Sequence, residues 1–136
     1  MKPYALIPRS IAQKKPPHGQ PCNRCGLCCM MTLCPLAQHV FGRELGPCPA
    51  LERDADGTAS CGLIADPGKH ALGYTLRAGG REAASDAAKL LIGAGIGCDA
   101  RINGEEPDRA FYLRAEQWDY ENRKAIAKAR KAWGMK

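Results

Sequence analysis

A chain of 136 residues with 15 Gly and 10 Pro but only 6% aromatic residues has little from which to build a large apolar core, and its length suits a single domain. The formal net charge of +6 sits in the ends, and no run approaches the roughly 18 apolar residues that a membrane span requires. Nor is there a signal-peptide core, so a reducing cytoplasm is the expected compartment, where clustered cysteines serve metals more often than disulfides.

Residues 1–21 form a Pro-rich basic arm. Prolines at 3, 8, 16, 17 and 21 limit helix formation, and Lys2, Arg9, Lys14 and Lys15 are unaccompanied by any acid. Each proline removes an amide donor and pushes its predecessor away from helical dihedrals; the arm is expected to wrap on a neighbour or to be mobile. Residues 22–70 hold seven of the eight cysteines, with turn signals such as "GPCP" and "DADG" between short apolar pieces. This pattern predicts a loop-rich region organised around something other than a core.

From residue 80 the character changes. "GREAASDAAKLLIG" spaces apolar residues at 84, 87, 88 and 91 and stops at Gly93, which predicts a helix. "GAGIGCDARING" is expected to be flexible, with a tight turn at Asn103-Gly104. Its glycines follow a helix rather than opening one, so they are not a phosphate loop. The segment 115–133 lacks Gly and Pro and predicts one long helix, with Trp118, Ala125, Ile126, Ala129 and Trp133 near one face. Acids early (Glu116, Asp119, Glu121) and bases late (Arg123 to Lys136) suit the dipole of such a helix.

Cys22, Cys25 and Cys28 stand at x2, x2 spacing, in which sulfurs converge on one centre while the turns aim backbone amides at the thiolates. The run is similar to that of bacterial ferredoxins, although Cys34-Pro35 comes two residues late for that pattern. Zinc competes for such ligands, but a zinc ribbon wants a second C-x2-C pair downstream, and the chain offers Cys48 and Cys61 instead. Seven thiols also exceed what one zinc would use. The adjacent Cys28 and Cys29 would point to opposite sides of an extended backbone, so that one ligates while the other packs, lines a second site or forms a disulfide. Cys98 stands apart as a small buried residue, His39 is a weak candidate ligand, and His18 in the arm is set aside.

Taken together, Cys22-x2-Cys25-x2-Cys28-Cys29, "CPAL" at 48–51 and "CGLI" at 61–64 resemble the CxxCxxCC family of zinc- or iron-chelating domains, over about residues 21–70. Members are small bacterial and phage-encoded proteins, and the same domain occurs in flagellin lysine-N-methylases. The resemblance implies a metal site. Family members usually continue to an Arg-Pro-x-x-Cys ending, where this chain has Asp66 in place of the arginine and His70 where the last cysteine would stand. The resemblance thus makes His70 a replacement ligand.

The expected fold is a small α-rich, irregular metal-stapled domain: a Cys-rich loop region followed by two helices, with residues 71–136 helical and ending in a basic helix. Candidate metal ligands are Cys22, Cys25, Cys28, Cys29, Cys34, Cys48, Cys61 and His70. A four-iron, four-sulfur cluster is favoured over a two-iron one and over zinc, in a structural or redox role. No Ser-His-Asp order, phosphate loop or H-E-x-x-H helix is present, so a standalone enzyme is the minority reading. The alternatives are a zinc-stapled module within a larger assembly, phage-encoded as some family members are, and a nucleic-acid-associated accessory protein. A protein partner is expected at the arm or the terminal helix, with nucleic acid as the lesser alternative and no membrane.

Overall fold

Gly26, with φ at +83°, turns the chain into a first short helix, α1 (Leu27–Met31), in a computed structural model that describes residues 16, 18–20, 26–55, 58–94, 96–98 and 105–135. A β-carbon at Gly26 would meet the Arg53 guanidinium at 2.7 Å and Ala59 Cβ at 2.8 Å, so this turn is pressed onto the chain that follows. Helix α2 (Pro35–Phe41) starts on a proline at its first position, where the missing N–H costs nothing, and stops at left-handed Gly42.

Two three-residue strands, β1 (Leu51–Arg53) and β2 (Ala59–Cys61), pair antiparallel with Leu51 opposite Cys61 and Arg53 opposite Ala59. Three single-turn helices then run corner to corner: α3 (Gly62–Ala65), α4 (Pro67–His70) and α5 (Leu72–Arg77). Asp66 and Ala71 are the corners, each with φ at −151° and so outside helical geometry. The region expected to be loop-rich is therefore built largely of helical turns, each too short to leave a periodic signature in the sequence.

Helix α6 (Arg81–Ile92) ends on left-handed Gly93, as its sequence predicts, and buries Ala84, Ala87 and Ala88. The expected single terminal helix is two: α7 (Arg109–Glu121), capped by the Asp108 side chain, and α8 (Arg123–Ala132). Asn122 makes the break, with φ at −105° and its side-chain amide turned back to the Trp118 carbonyl at 2.9 Å. The break redirects the faces. Ala129 and Trp133 are buried, Ile126 and Trp118 are half-buried, and Ala125, expected on the apolar face, is exposed. The acids at 116, 119 and 121 consequently lie in the middle and last turns of α7 rather than at the head of one long helix.

Helix α6 packs chiefly on α8 and α3, with contributions from α2, α4 and α5. Alanines on α6 let the helices approach closely, and Leu33, Leu36, Leu63 and Trp133 fill the space between them. Trp133 is 0% exposed, donates its indole N–H to the Ala84 carbonyl at 3.1 Å and stacks on Tyr74 at 5.9 Å between ring centres. Cys29, Cys34, Cys48 and Cys61 belong to this core or pack against it. The result, among the described residues, is a helix-rich domain with one small two-stranded sheet. Among the described residues no helix is long and apolar enough to cross a membrane.

Candidate metal centre

Three of the cysteines share one local construction. Cys34 caps α2, and its sulfur accepts the Ala37 amide at 3.4 Å, with the Leu36 amide also directed at it. Cys48 opens a turn through Pro49 in which the amides of Ala50 and Leu51 point at its sulfur. Cys61 ends β2, caps α3 and receives the amides of Leu63 and Ile64. In each case the donors are the second and third residues after the cysteine. At a helix start such amides lack intrahelical carbonyl partners and a sulfur in the capping position takes them, while in the Cys48 turn the Leu51 amide also donates to the Cys48 carbonyl at 3.0 Å. Pro35, Pro49 and Gly62 follow the three cysteines, and a cysteine before Pro or Gly is the sequence signal that could have marked this construction.

Backbone hydrogen bonds tie the Cys48 segment to α1 and to the Cys61 segment. The Cys48 amide donates to the Cys29 carbonyl at 2.7 Å, Gly46 to the Met31 carbonyl at 2.9 Å, and Gly62 to the Ala50 carbonyl at 2.7 Å. Cys28 and Cys29, on α1, do not point apart as they would in extended backbone. Successive residues on a helix lie about 100° apart, and the two thiols are hydrogen-bonded to each other.

The electrostatics are those of crowded, buried thiols. The hydrogen bond with Cys28, and then burial, push the Cys29 thiol far above its ordinary range, with the charges of Cys28, Cys61 and Cys48 adding to the effect. Burial pushes Cys34 and Cys48 up, while their amides, and the Arg43 guanidinium near Cys48, pull the other way. Burial carries Cys61 from 9.0 to about 11 against the pull of its two amides. Burial and the backbone amides thus act in opposite directions on the Cys34, Cys48 and Cys61 sulfurs, and burial prevails. No disulfide joins the described cysteines.

In the unligated protein these thiols make stability depend on pH. A thiol whose folded pKa lies above its unfolded value stabilises the fold below the unfolded pKa, and the contribution is lost as pH rises through the folded one. For Cys61 that window runs from 9.0 to about 11. With the thiols unligated, the urea midpoint is expected to fall across this range; a flat midpoint would show that Cys61 is not buried as a neutral thiol.

The remaining candidates are placed as follows. Cys22 and Cys25 lie outside the described residues, as do the Asn103-Gly104 turn and most of the arm. Cys28 is exposed. His70 is turned to the Glu52 carboxylate, 3.2 Å from Nε2, which Lys69 also reaches at 2.7 Å; the Lys69 and His70 hydrogen bonds hold Glu52 below the usual carboxylate range. An open cleft of about 500 Å³ runs past His70 between Phe41, Tyr74 and Arg77. His39 contacts the Trp133 carbonyl at 2.9 Å and the Tyr74 ring. Among the described residues, no three His, Cys, Asp or Glu side chains are drawn close enough to hold one ion.

Gly62 keeps this corner closed. A β-carbon there would collide with the His70 ring and come within 2.7 Å of the Ala50 carbonyl. Gly62→Ala is expected to cost about 1–3 kcal/mol through forced repacking, measured as a lowered urea midpoint, with the His70–Glu52 contact displaced.

His18, set aside in the sequence, is 4% exposed. Its Nδ1 accepts the Asp108 amide at 2.9 Å, its own amide donates to Glu105 at 3.2 Å, and its ring meets Phe111 edge-on at 4.9 Å. Gly19 donates to the Cys98 carbonyl at 2.7 Å, and the Cys98 amide donates to Gln20 at 2.8 Å. The residues leading into the cysteine run are thus clasped by the start of α7. No family model, curated protein or solved structure matches the chain.

Proposed function

We propose that the chain is a metal-binding protein whose cysteine-rich part carries an iron–sulfur cluster in a structural or redox role. The observation that carries this reading is the threefold repetition at Cys34, Cys48 and Cys61 of a buried or half-buried sulfur facing the amides of the second and third residues after it. Amide donors to sulfur are what protein ligands of such clusters use to hold anionic thiolate and to tune potential. A neutral core cysteine has no need of two. The donor set fits in kind, since thiolates are soft ligands suited to iron–sulfur clusters and zinc.

Cys34, Cys48 and Cys61 would hold the metal together with Cys22, Cys25 and one of the Cys28–Cys29 pair. Seven thiols between residues 22 and 61, with a ferredoxin-like opening run, favour a cluster over a single zinc. His70, a replacement ligand by the resemblance, makes a hydrogen bond with Glu52. Bound metal would supply positive charge that offsets the burial of these sulfurs. The resemblance that suggests the metal is the one to the CxxCxxCC domains.

Anaerobic purification followed by metal and sulfide analysis and a visible spectrum tests this. The expected result is a brown protein with broad charge-transfer absorption and roughly four iron and four sulfide per chain. A colourless protein containing stoichiometric zinc would replace the cluster by a zinc staple, and a folded protein with no metal would overturn the reading.

A further inference from the structure

We propose that the outer face of α8, with Tyr120 at its head, is a docking surface for single-stranded nucleic acid. Lys124, Lys128 and Lys131 recur at i, i+4 and i+7, which at 100° per residue places them within a stripe about 60° wide and about 10 Å long. All three are exposed. Among the described residues none of them is in an ion pair, and residues 123–136 contain no acid. Glu121, the nearest acid in sequence, is held by the Gln117 amide at 2.7 Å.

Helix stability does not account for this stripe. Lys131, in the last turn, is favoured by the helix dipole, but Arg123 and Lys124 stand in the first turn, where the dipole opposes positive charge. Like charges at i, i+4 repel as well. A polyanion removes both costs. A stripe about 10 Å long, with the reach of the lysine side chains, would meet about two or three successive phosphates of a strand.

The kind of polyanion follows from what else the surface offers. An anionic bilayer would want an apolar helix face to insert, whereas the inward side of α8 is spent on Ala129 and on Trp133 just beyond its end, both buried in the core. Tyr120, in contrast, is 65% exposed, with the Arg123 guanidinium 4.5 Å above its ring and anchored on the Tyr120 carbonyl at 2.8 Å. An arginine-backed aromatic ring, in the last turn of α7 just before this basic helix, is a stacking platform for an unpaired base. Docking at α8 does not involve the thiols.

Fluorescence anisotropy with the full chain and a labelled oligothymidylate of about 20 nucleotides, from about 50 to 200 mM salt, tests this. Wild type is expected to bind with a salt-dependent affinity. Lys124→Gln/Lys128→Gln/Lys131→Gln should flatten the log–log salt slope by about 2, at about 0.7 for each phosphate no longer neutralised. Tyr120→Ala should weaken binding roughly tenfold at every salt concentration with the slope unchanged. All four side chains are exposed, and unchanged thermal melts would confirm intact variants. Absence of binding at low salt, an unchanged slope in the triple variant, unchanged affinity in Tyr120→Ala, tighter binding to a duplex of equal length, or equal binding to phosphatidylserine vesicles would each overturn the proposal.

Discussion

Replacing Cys34 by serine is expected to empty the protein of metal while leaving α2 as well capped as before. Serine is among the best N-cap residues, because its oxygen accepts the same amides that Cys34 Sγ now receives from Leu36 and Ala37. A hydroxyl is a poor substitute for thiolate as a ligand to a soft metal. If Cys34 served only as a cap, Cys34→Ser would match or exceed wild type, and Cys34→Ala would cost about 1 kcal/mol. As a ligand, both variants should retain roughly a tenth or less of the metal, because metal binding and folding share one free energy. The melting temperature should then fall on the order of 10 °C, since each kcal/mol moves it by about 2–8 °C in a domain of this size. Metal content and melting temperature of the Ser and Ala variants, read side by side, separate the two roles. A stable, fully loaded Cys34→Ser protein would remove this residue from the ligand set.

Trp133→Ala should be the most damaging single change away from the cysteines. The side chain is 0% exposed and is the largest of the fully buried ones, in a chain with two Trp and two Phe. Truncating a buried tryptophan costs about 3–5 kcal/mol in forfeited transfer energy and cavity formation. The Ala84 carbonyl would also be deprived of the indole donor 3.1 Å away, and a buried acceptor left unpaired costs about 1–3 kcal/mol. Much of a small domain's stability of about 5–15 kcal/mol would be gone. Trp133→Phe keeps most of the volume without the donor, so it should recover more than half of the stability. The urea midpoints of the two variants measure the division between packing and hydrogen bonding; equal midpoints would mean that the missing donor, not the volume, sets the cost.

These two residues mark the limits of what the sequence disclosed. Helix α6 was legible because alanine spacing and a terminal Gly93 agree on one answer. The terminal segment was legible as helical, and Trp133 and Ala129 as inward-facing, but the break at Asn122 was not, since it depends on a side-chain amide reaching back to the Trp118 carbonyl. The true start of α7 did carry a signal, Asp108 after Pro107, which the absence of Gly and Pro further along overshadowed. Spacing alone marked the cysteines as a group. It could not reveal that α1 is helical and brings the Cys28 and Cys29 thiols together, because a five-residue helix has no period to read. Nor could a histidine among prolines be assigned to a pocket formed 90 residues later by Asp108 and Phe111.

The clasp on His18 and Gly19 bears on how the protein is made. Its partners, Cys98, Glu105, Asp108, Phe111 and Arg114, are all encoded after the seven clustered cysteines. While the chain is still emerging from the ribosome, those thiols are complete in number but the anchor on their upstream side has not yet been synthesised. The upstream anchor of the cysteine run is thus completed only once residues as far as Arg114 have been added.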